Sequence, residues 1–340
     1  MGDATPRQQI AVLGAGSWGI AIARLLDSAG HRVRLWEFDP AAAKRLATTR
    51  ILPEKLPDIE LRPSVEVTDD LRRTLDGAGA VLFVTPSSVI RETAKRARND
   101  VVDDALVVSL AKGIEIETGL RMTEIISAEL SGRAVVALVG PSHAEEVARG
   151  IPTAVVAACD DSAEASRAQL LFSTERFRVY TSADTIGVEL AAALKNIVAI
   201  AAGIVDGLGY ETADNLKGAL ITRGLAEIAR LGVRMGAEPE TFAGLSGVGD
   251  LITTCLSRHS RNRYVGEQVG RGKPLTEVLS SMSMVAEGVN TTKAAIRLAQ
   301  IHQVDMPIAR AVASVLFDGR PAADALRELM ARPPQPEIRR

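Results

Sequence analysis

The sequence predicts an α/β protein, a doubly wound parallel sheet followed by a mostly α-helical C-terminal domain. Three observations predict it. A short apolar run, Ile10–Leu13, leads directly into Gly14-Ala-Gly16-Ser17-Trp18-Gly19 and then into helical spacing from Ile20. Apolar strand-like runs alternate with helical ones up to about residue 187, the pattern of a parallel sheet covered on both faces. Beyond that point the β signal fades and helical patterns dominate. The expected division is a dinucleotide-binding domain over 1–187, a helical substrate domain over 188–330 and a proline-rich, disordered tail over 331–340.

The glycine run has the context that gives such a motif meaning: a strand before it, a helix after it and a second strand at Val33–Trp36. In a Rossmann-type unit Gly14 permits the tight turn, Gly16 lets backbone approach a pyrophosphate, and Gly19 lets the helix pack on the strand. The helix start at Ser17 and Trp18 then faces the phosphates. Glu37 follows the second strand, where an acid accepts hydrogen bonds from an adenosine ribose and repels a 2′-phosphate. Asp39 adds negative charge, and no Arg or Lys lies between Trp36 and Lys44. NAD is therefore expected over NADP.

Residues 49–63 carry Pro53, Pro57 and Pro63 and read as an irregular excursion. Strands are expected at Ala80–Thr85, Leu106–Leu110, Ala134–Val139, Thr153–Ala157 and Phe177–Tyr180. Ligands bind beyond the carboxyl ends of such strands, where Thr85-Pro86-Ser87, Lys112-Gly113 and Gly140-Pro141-Ser142 fall. Lys112 is thus placed to meet a cofactor or an anionic substrate.

Glu189–Val205 reads as a helix that is apolar on every side, hence a buried core helix. Lys195 sits in its middle, with Ala191, Ala192, Val198 and Ala199 as helical neighbours. Its charge must be met from elsewhere or its pKa must fall. Lysines so tuned serve as acid/base groups or Schiff-base nucleophiles; the alternative is a lysine that snorkels to the surface. Further helices are expected at Ala213–Leu231, Arg263–Gly270, Asn290–Gln300 and Pro307–Phe317. The glycine-rich Gly244–Gly249 ends in Asp250, a candidate partner for the lysine or a helix N-cap. Ser260 suits an N-cap, which puts Arg261 and Asn262 in the first helical turn, an arrangement suited to phosphate.

Composition bounds the remaining choices. Hydrophobic residues make up 46% of 340, enough for sizeable cores, and a net charge of −2 gives no reason to expect nucleic acid. Cys159 and Cys255 lack metal-type spacing and fit a reducing compartment, so no metal is expected. Met1–Gln9 has no apolar core of the secretory kind, and the Lys195 helix looks too broken and charged for membrane insertion. A cytoplasmic homodimer is expected.

Taken together, Gly14–Gly19, Ala111-Lys112-Gly113-Ile114-Glu115, Gly140–Ala144, Leu194-Lys195-Asn196, Gly247–Leu251, Ser260–Arg263 and Val285–Gly288 resemble the bacterial-type NAD(P)-dependent glycerol-3-phosphate dehydrogenase family. The resemblance covers about residues 8–330. It implies reversible reduction of dihydroxyacetone phosphate to sn-glycerol 3-phosphate for phospholipid synthesis, with Lys195 as proton donor and acceptor. It implies substrate contacts from Lys112, Gly140, Ser142, Asn196, Asp250, Ser260, Arg261 and Asn262. Ser17, Trp18, Lys112, Ala144, Arg261, Val285 and Glu287 would touch the cofactor. Phe38 stands about where the family often has a basic residue suited to an NADP phosphate, which again favours NAD. His143 stands where some members have phenylalanine, either as a second proton relay or as a lining residue. A related hydroxy-acid dehydrogenase would need a carboxylate clamp instead of a phosphate site. A non-catalytic nucleotide sensor would leave Lys195 unexplained.

Overall fold

The computed structural model describes residues 7–334, 336 and 337. Most of the Met1–Gln9 reading and part of the expected tail lie outside the described residues. Within the described part of that tail, Arg332 donates to Asp305 Oδ2 at 2.6 Å and the Glu337 carbonyl accepts from Arg223 at 3.1 Å.

Among the described residues, eight strands form one sheet: β1 Gln9–Leu13, β2 Arg32–Trp36, β3 Glu66–Thr68, β4 Ala80–Phe83, β5 Leu106–Ser109, β6 Val136–Val139, β7 Thr153–Ala158 and β8 Phe177–Ser182. Their spatial order is β3-β2-β1-β4-β5-β6-β7-β8. Alternation along each strand feeds both faces. Ile10 and Val12 join one core, while Ala11 and Leu13 join another on the opposite side. This two-sided burial is what the near-continuous apolar runs encode.

Two features depart from the expected sheet. β6 and β7 pair antiparallel, with Leu138 opposite Ala157, so the sheet is mixed. β3, three residues long and only partly buried, follows the proline-rich excursion and was not expected. It is too short to carry a periodic signal.

The chain then turns helical. A single unbroken helix spans Thr185–Gly207, 23 residues, with nearly every position from Thr185 to Val205 buried. Asp184 caps it, accepting from Gly187 N at 2.8 Å and also from Thr241 Oγ1 at 2.5 Å. Contrary to the expectation of a broken segment, it is long and apolar enough to cross a membrane, but its most apolar window is wholly buried within the protein. Val188 and Ala192 pack on β6 and β7, and the rest of the helix forms the axis of the helical core.

Glycine sets the closest packing in that core. A Cβ at Gly203 would lie 1.9 Å from the Arg263 carbonyl oxygen, and one at Gly266 would lie 2.0 Å from that of Ile200. The central helix and the helix Arg261–Gly270 therefore touch backbone to backbone. This contact brings the Ser260 helix start against Asn196.

Candidate active site

A cleft of about 660 Å³ runs from the glycine loop to the middle of the central helix. Lys195 lies on its wall at the helical end and is 4% exposed. Its ammonium donates to Asp250 Oδ1 and, at 2.5 Å, to Thr254 Oγ1. Asp250 Oδ2 accepts from Lys112 Nζ at 2.9 Å, and Lys112 also donates to the Gly140 carbonyl at 2.9 Å. The Ser142 hydroxyl donates to that same carbonyl at 3.0 Å.

Asp250 is thus a bridge between two lysines. It is the first residue of the helix Asp250–Leu256, and its side chain serves the lysines instead of capping that helix. Gly140 and Asp250 stand behind the cleft wall rather than on it, while Lys112, Ser142 and Lys195 line it. Thr254 is the partner that motif reading missed. It lies one turn after Asp250 on the same helix face, and its hydroxyl donates back to the Asp250 carbonyl at 2.7 Å.

The electrostatics follow from burial. Burial pulls the Lys195 ammonium down to about 7, with Asp250 opposing the shift and the Lys112 charge adding to it. Burial alone would raise the Asp250 carboxyl, but Lys112 and Lys195 override it and hold the group below its ordinary value. The cluster therefore holds a persistent carboxylate beside an amine that can gain or lose a proton near neutrality.

On the same cleft, Ser260 caps its helix by accepting from Arg263 N at 3.2 Å. Asn262 Nδ2 donates to Asn196 Oδ1 at 2.8 Å, and Asn262 Oδ1 accepts from Gly288 N at 2.9 Å. Arg261 is exposed on the cleft rim and donates to the Val285 carbonyl at 2.8 Å. A helix start, two amides and a guanidinium converge there, an anion-binding arrangement.

Family models for the N-terminus and the C-terminus of NAD-dependent glycerol-3-phosphate dehydrogenase match residues 9–165 and 184–327. A glycerol-3-phosphate dehydrogenase (NAD(P)+) of Chlorobium phaeobacteroides is 50% identical over 333 residues, which is 97% of this chain and 99% of the relative. The chain belongs to the NAD-dependent glycerol-3-phosphate dehydrogenase family. That of Pelotomaculum thermopropionicum is 51% identical, covering 95% of this chain and 93% of its own length. The crystal structure of glycerol-3-phosphate dehydrogenase from Coxiella burnetii superposes with a TM-score of 0.91 at 35% identity, covering 96% of this chain and 99% of the other.

In this glycerol-3-phosphate dehydrogenase family member the other end of the cleft is built by the glycine loop. Gly14 has φ +116 and donates to the Trp36 carbonyl at 3.0 Å, which ties the loop to β2. A Cβ at Gly19 would lie 1.8 Å from the Gly14 carbonyl oxygen, so Gly19 is needed for packing and does not line the cleft. A Cβ at Gly16 would meet nothing within 4 Å, which leaves backbone open to the cleft. Ser17 and Trp18 line the cleft after it, as does Ala144.

Segments of the helical half, and the excursion at 49–63, reach over this loop. The Ser17 hydroxyl lies 3.0 Å from Met284 Sδ and 2.5 Å from the Lys55 carbonyl. Glu287 accepts from Ser87 N at 3.0 Å and from Ser87 Oγ at 2.5 Å. Glu287 and Val285 line the cleft as the motifs imply.

Glu37 lines the cleft beyond β2 and accepts from Asp39 N at 3.1 Å. Arg96 comes from the helix Ile90–Ala97 and lies over the Trp36 ring, 5.3 Å from its centroid, on the same part of the cleft. Arg96 is distant from Trp36 in sequence, so the residues following β2 carry no sign of this cation.

Proposed function

We propose that this protein catalyses the reversible reduction of dihydroxyacetone phosphate to sn-glycerol 3-phosphate, with Lys195 as general acid and base. The carrying observation is a buried ammonium on the cleft wall, held by Asp250 and Thr254, in the same cleft as an anion-binding helix start. The cleft suits a nicotinamide dinucleotide. Its backbone is open at Gly16, and it is lined by Trp18 and Thr85, whose Nε1 and Oγ1 are buried without a partner among the described residues. Gly14, Gly16, Ser17 and Trp18 would hold the pyrophosphate, Glu37 the adenosine ribose, and Lys112, Ala144, Arg261, Val285 and Glu287 would complete the cofactor site. Bound there, the nicotinamide supplies or takes up the hydride.

The substrate phosphate would sit at the Ser260 helix start, held by Arg261 and Asn262, with Asn196 a further polar contact. That anchoring aims the carbonyl at Lys195. As negative charge develops on the carbonyl oxygen, the Lys195 ammonium stabilises it and gives up a proton. Lys112 stabilises the same charge and touches substrate beside Ser142. Asp250 and Gly140 act through the lysines they hold. In the reverse direction the neutral amine takes the hydroxyl proton. With the amine near 7, both protonation states are available around neutrality.

NADH is the proposed preferred cofactor, supported by the Glu37 carboxylate on the cleft wall. Arg96 on the same wall favours NADP as a second accepted cofactor. The proposal extends to a division of labour between residues 1–187 and 188–330, with cofactor on the first and phosphate on the second. It extends also to a homodimer, supported by the exposed Ile252, Leu256 and Tyr264 of the helical half. A cytoplasmic role in phospholipid synthesis completes it, in keeping with two free, buried cysteines.

The test is NADH oxidation followed by absorbance, with dihydroxyacetone phosphate set against a panel of keto acids and then repeated with NADPH. Turnover on dihydroxyacetone phosphate, with a lower KM for NADH than for NADPH, is expected. Turnover on keto acids alone would reassign the substrate, and a much lower KM for NADPH would reverse the cofactor preference.

A further inference from the structure

Dihydroxyacetone phosphate carries three polar groups. The proposed function gives its carbonyl to Lys195 and its phosphate to the Ser260 helix start. The terminal hydroxyl has no assigned partner. We propose that His143 is a substrate-positioning residue whose imidazole hydrogen-bonds this hydroxyl. The inference rests on the proposed function and adds to it the group that lets the site tell a hydroxyl from a methyl.

His143 lines the cleft between Ser142 and Ala144, on the segment whose Gly140 carbonyl holds Lys112. Its ring lies beside that of His259 on the cleft lining, with centroids 6.0 Å apart. His259 directly precedes Ser260 at the phosphate end, and Ser142, the residue before His143, shares the Gly140 carbonyl with Lys112, so the His143 ring stands between that end and the lysines. Among the described residues no hydrogen bond involves the His143 imidazole; it provides no cap to its own helix, and Nε2 is buried without a partner. A buried polar atom left unpaired is costly and calls for a partner. A hydroxyl both donates and accepts, so it fits a neutral imidazole in either tautomer. The ring is kept neutral. Burial lowers its pKa, the Lys195 and Lys112 charges lower it further, and Glu145 and Asp250 oppose them. A neutral ring adds no third cation beside the lysines and does not compete for the phosphate.

The test uses acetol phosphate, which has a methyl group where dihydroxyacetone phosphate has its terminal hydroxyl. The wild-type enzyme should favour dihydroxyacetone phosphate by at least ~10-fold in kcat/KM, the cost of leaving a site's hydrogen-bonding group unpaired. His143→Phe should bring the two substrates to within ~3-fold by lowering only the rate on dihydroxyacetone phosphate. His143→Gln, which keeps a donor and an acceptor, should restore part of the preference. A preference that survives His143→Phe, a wild-type enzyme without preference, or an equal loss on both substrates would each overturn the assignment. Wild-type failure to reduce dihydroxyacetone phosphate would overturn the proposed function and this inference with it. Normal reduction with an unmoved ratio would overturn the inference alone.

Discussion

Glu189 and Lys195 stand less than two turns apart on one buried helix, and both are almost sealed from solvent, at 5% and 4% exposure. Their surroundings divide them. Glu189 accepts from Arg121 Nη1 at 2.8 Å, Thr123 N at 3.0 Å and Thr123 Oγ1 at 2.5 Å, and it does not line the cleft. Its oxygens are occupied by the helix Met122–Glu129 and the residue before it, so the carboxylate joins the helical half to the sheet half. Lys195 has three protons to give and, among the described residues, two protein acceptors, Asp250 and Thr254. The remaining direction faces the cleft. Burial alone does not make a charged group functional; what decides is whether its last hydrogen-bonding position is closed by protein or left to a ligand.

The comparison is broken most directly at Lys195. Lys195→Ala should lower kcat by ~10³-fold, as expected for loss of a general acid that also stabilises developing charge. Dinucleotide affinity, read by fluorescence titration, should stay nearly intact. Retention of more than ~10% of kcat would place the proton transfer elsewhere.

Arg121→Ala makes the complementary break. It leaves a buried carboxylate without its cation, which should cost ~3 kcal/mol of stability in denaturant unfolding. Because Glu189 is away from the cleft, kcat should change by less than ~3-fold at temperatures where the variant is folded. A variant of normal stability with collapsed turnover would exchange the roles given to the two charges.

Much of this was legible in the sequence. The glycine loop is readable because local backbone needs dictate it: Gly14 requires a positive φ, and Gly19 requires the absence of a Cβ. Lys195 is readable because no polar neighbour on its own helix could satisfy it. What stayed hidden depends on distant partners. Apolar runs encode burial but not strand direction, so the antiparallel β6–β7 pair could not be separated from its parallel neighbours. Arg96 reaches Trp36 only through the fold. Asp250 could be named as a partner for the lysine charge, but its second bond to Lys112 could not, because that pair is 138 residues apart. The unpaired state of His143 is likewise invisible until its surroundings are built.

The smallest effect, and the one that sharpens the comparison most, is in pH. Lys195 is shifted from 10.5 to about 7. Reduction needs the ammonium, so kcat/KM for dihydroxyacetone phosphate should be level below about 7 and fall roughly tenfold per pH unit above it. Oxidation of glycerol 3-phosphate needs the neutral amine and should show the mirror image. The apparent value belongs to the Lys112–Asp250–Lys195 cluster as a whole. Asp250 opposes the downward shift, so Asp250→Asn should move the falling limb of the reduction profile to lower pH. Arg121→Ala, which disturbs the other buried charge, should leave that limb in place. A limb that moves with Arg121 and ignores Asp250 would mean that the titrating group is not the one on the cleft wall.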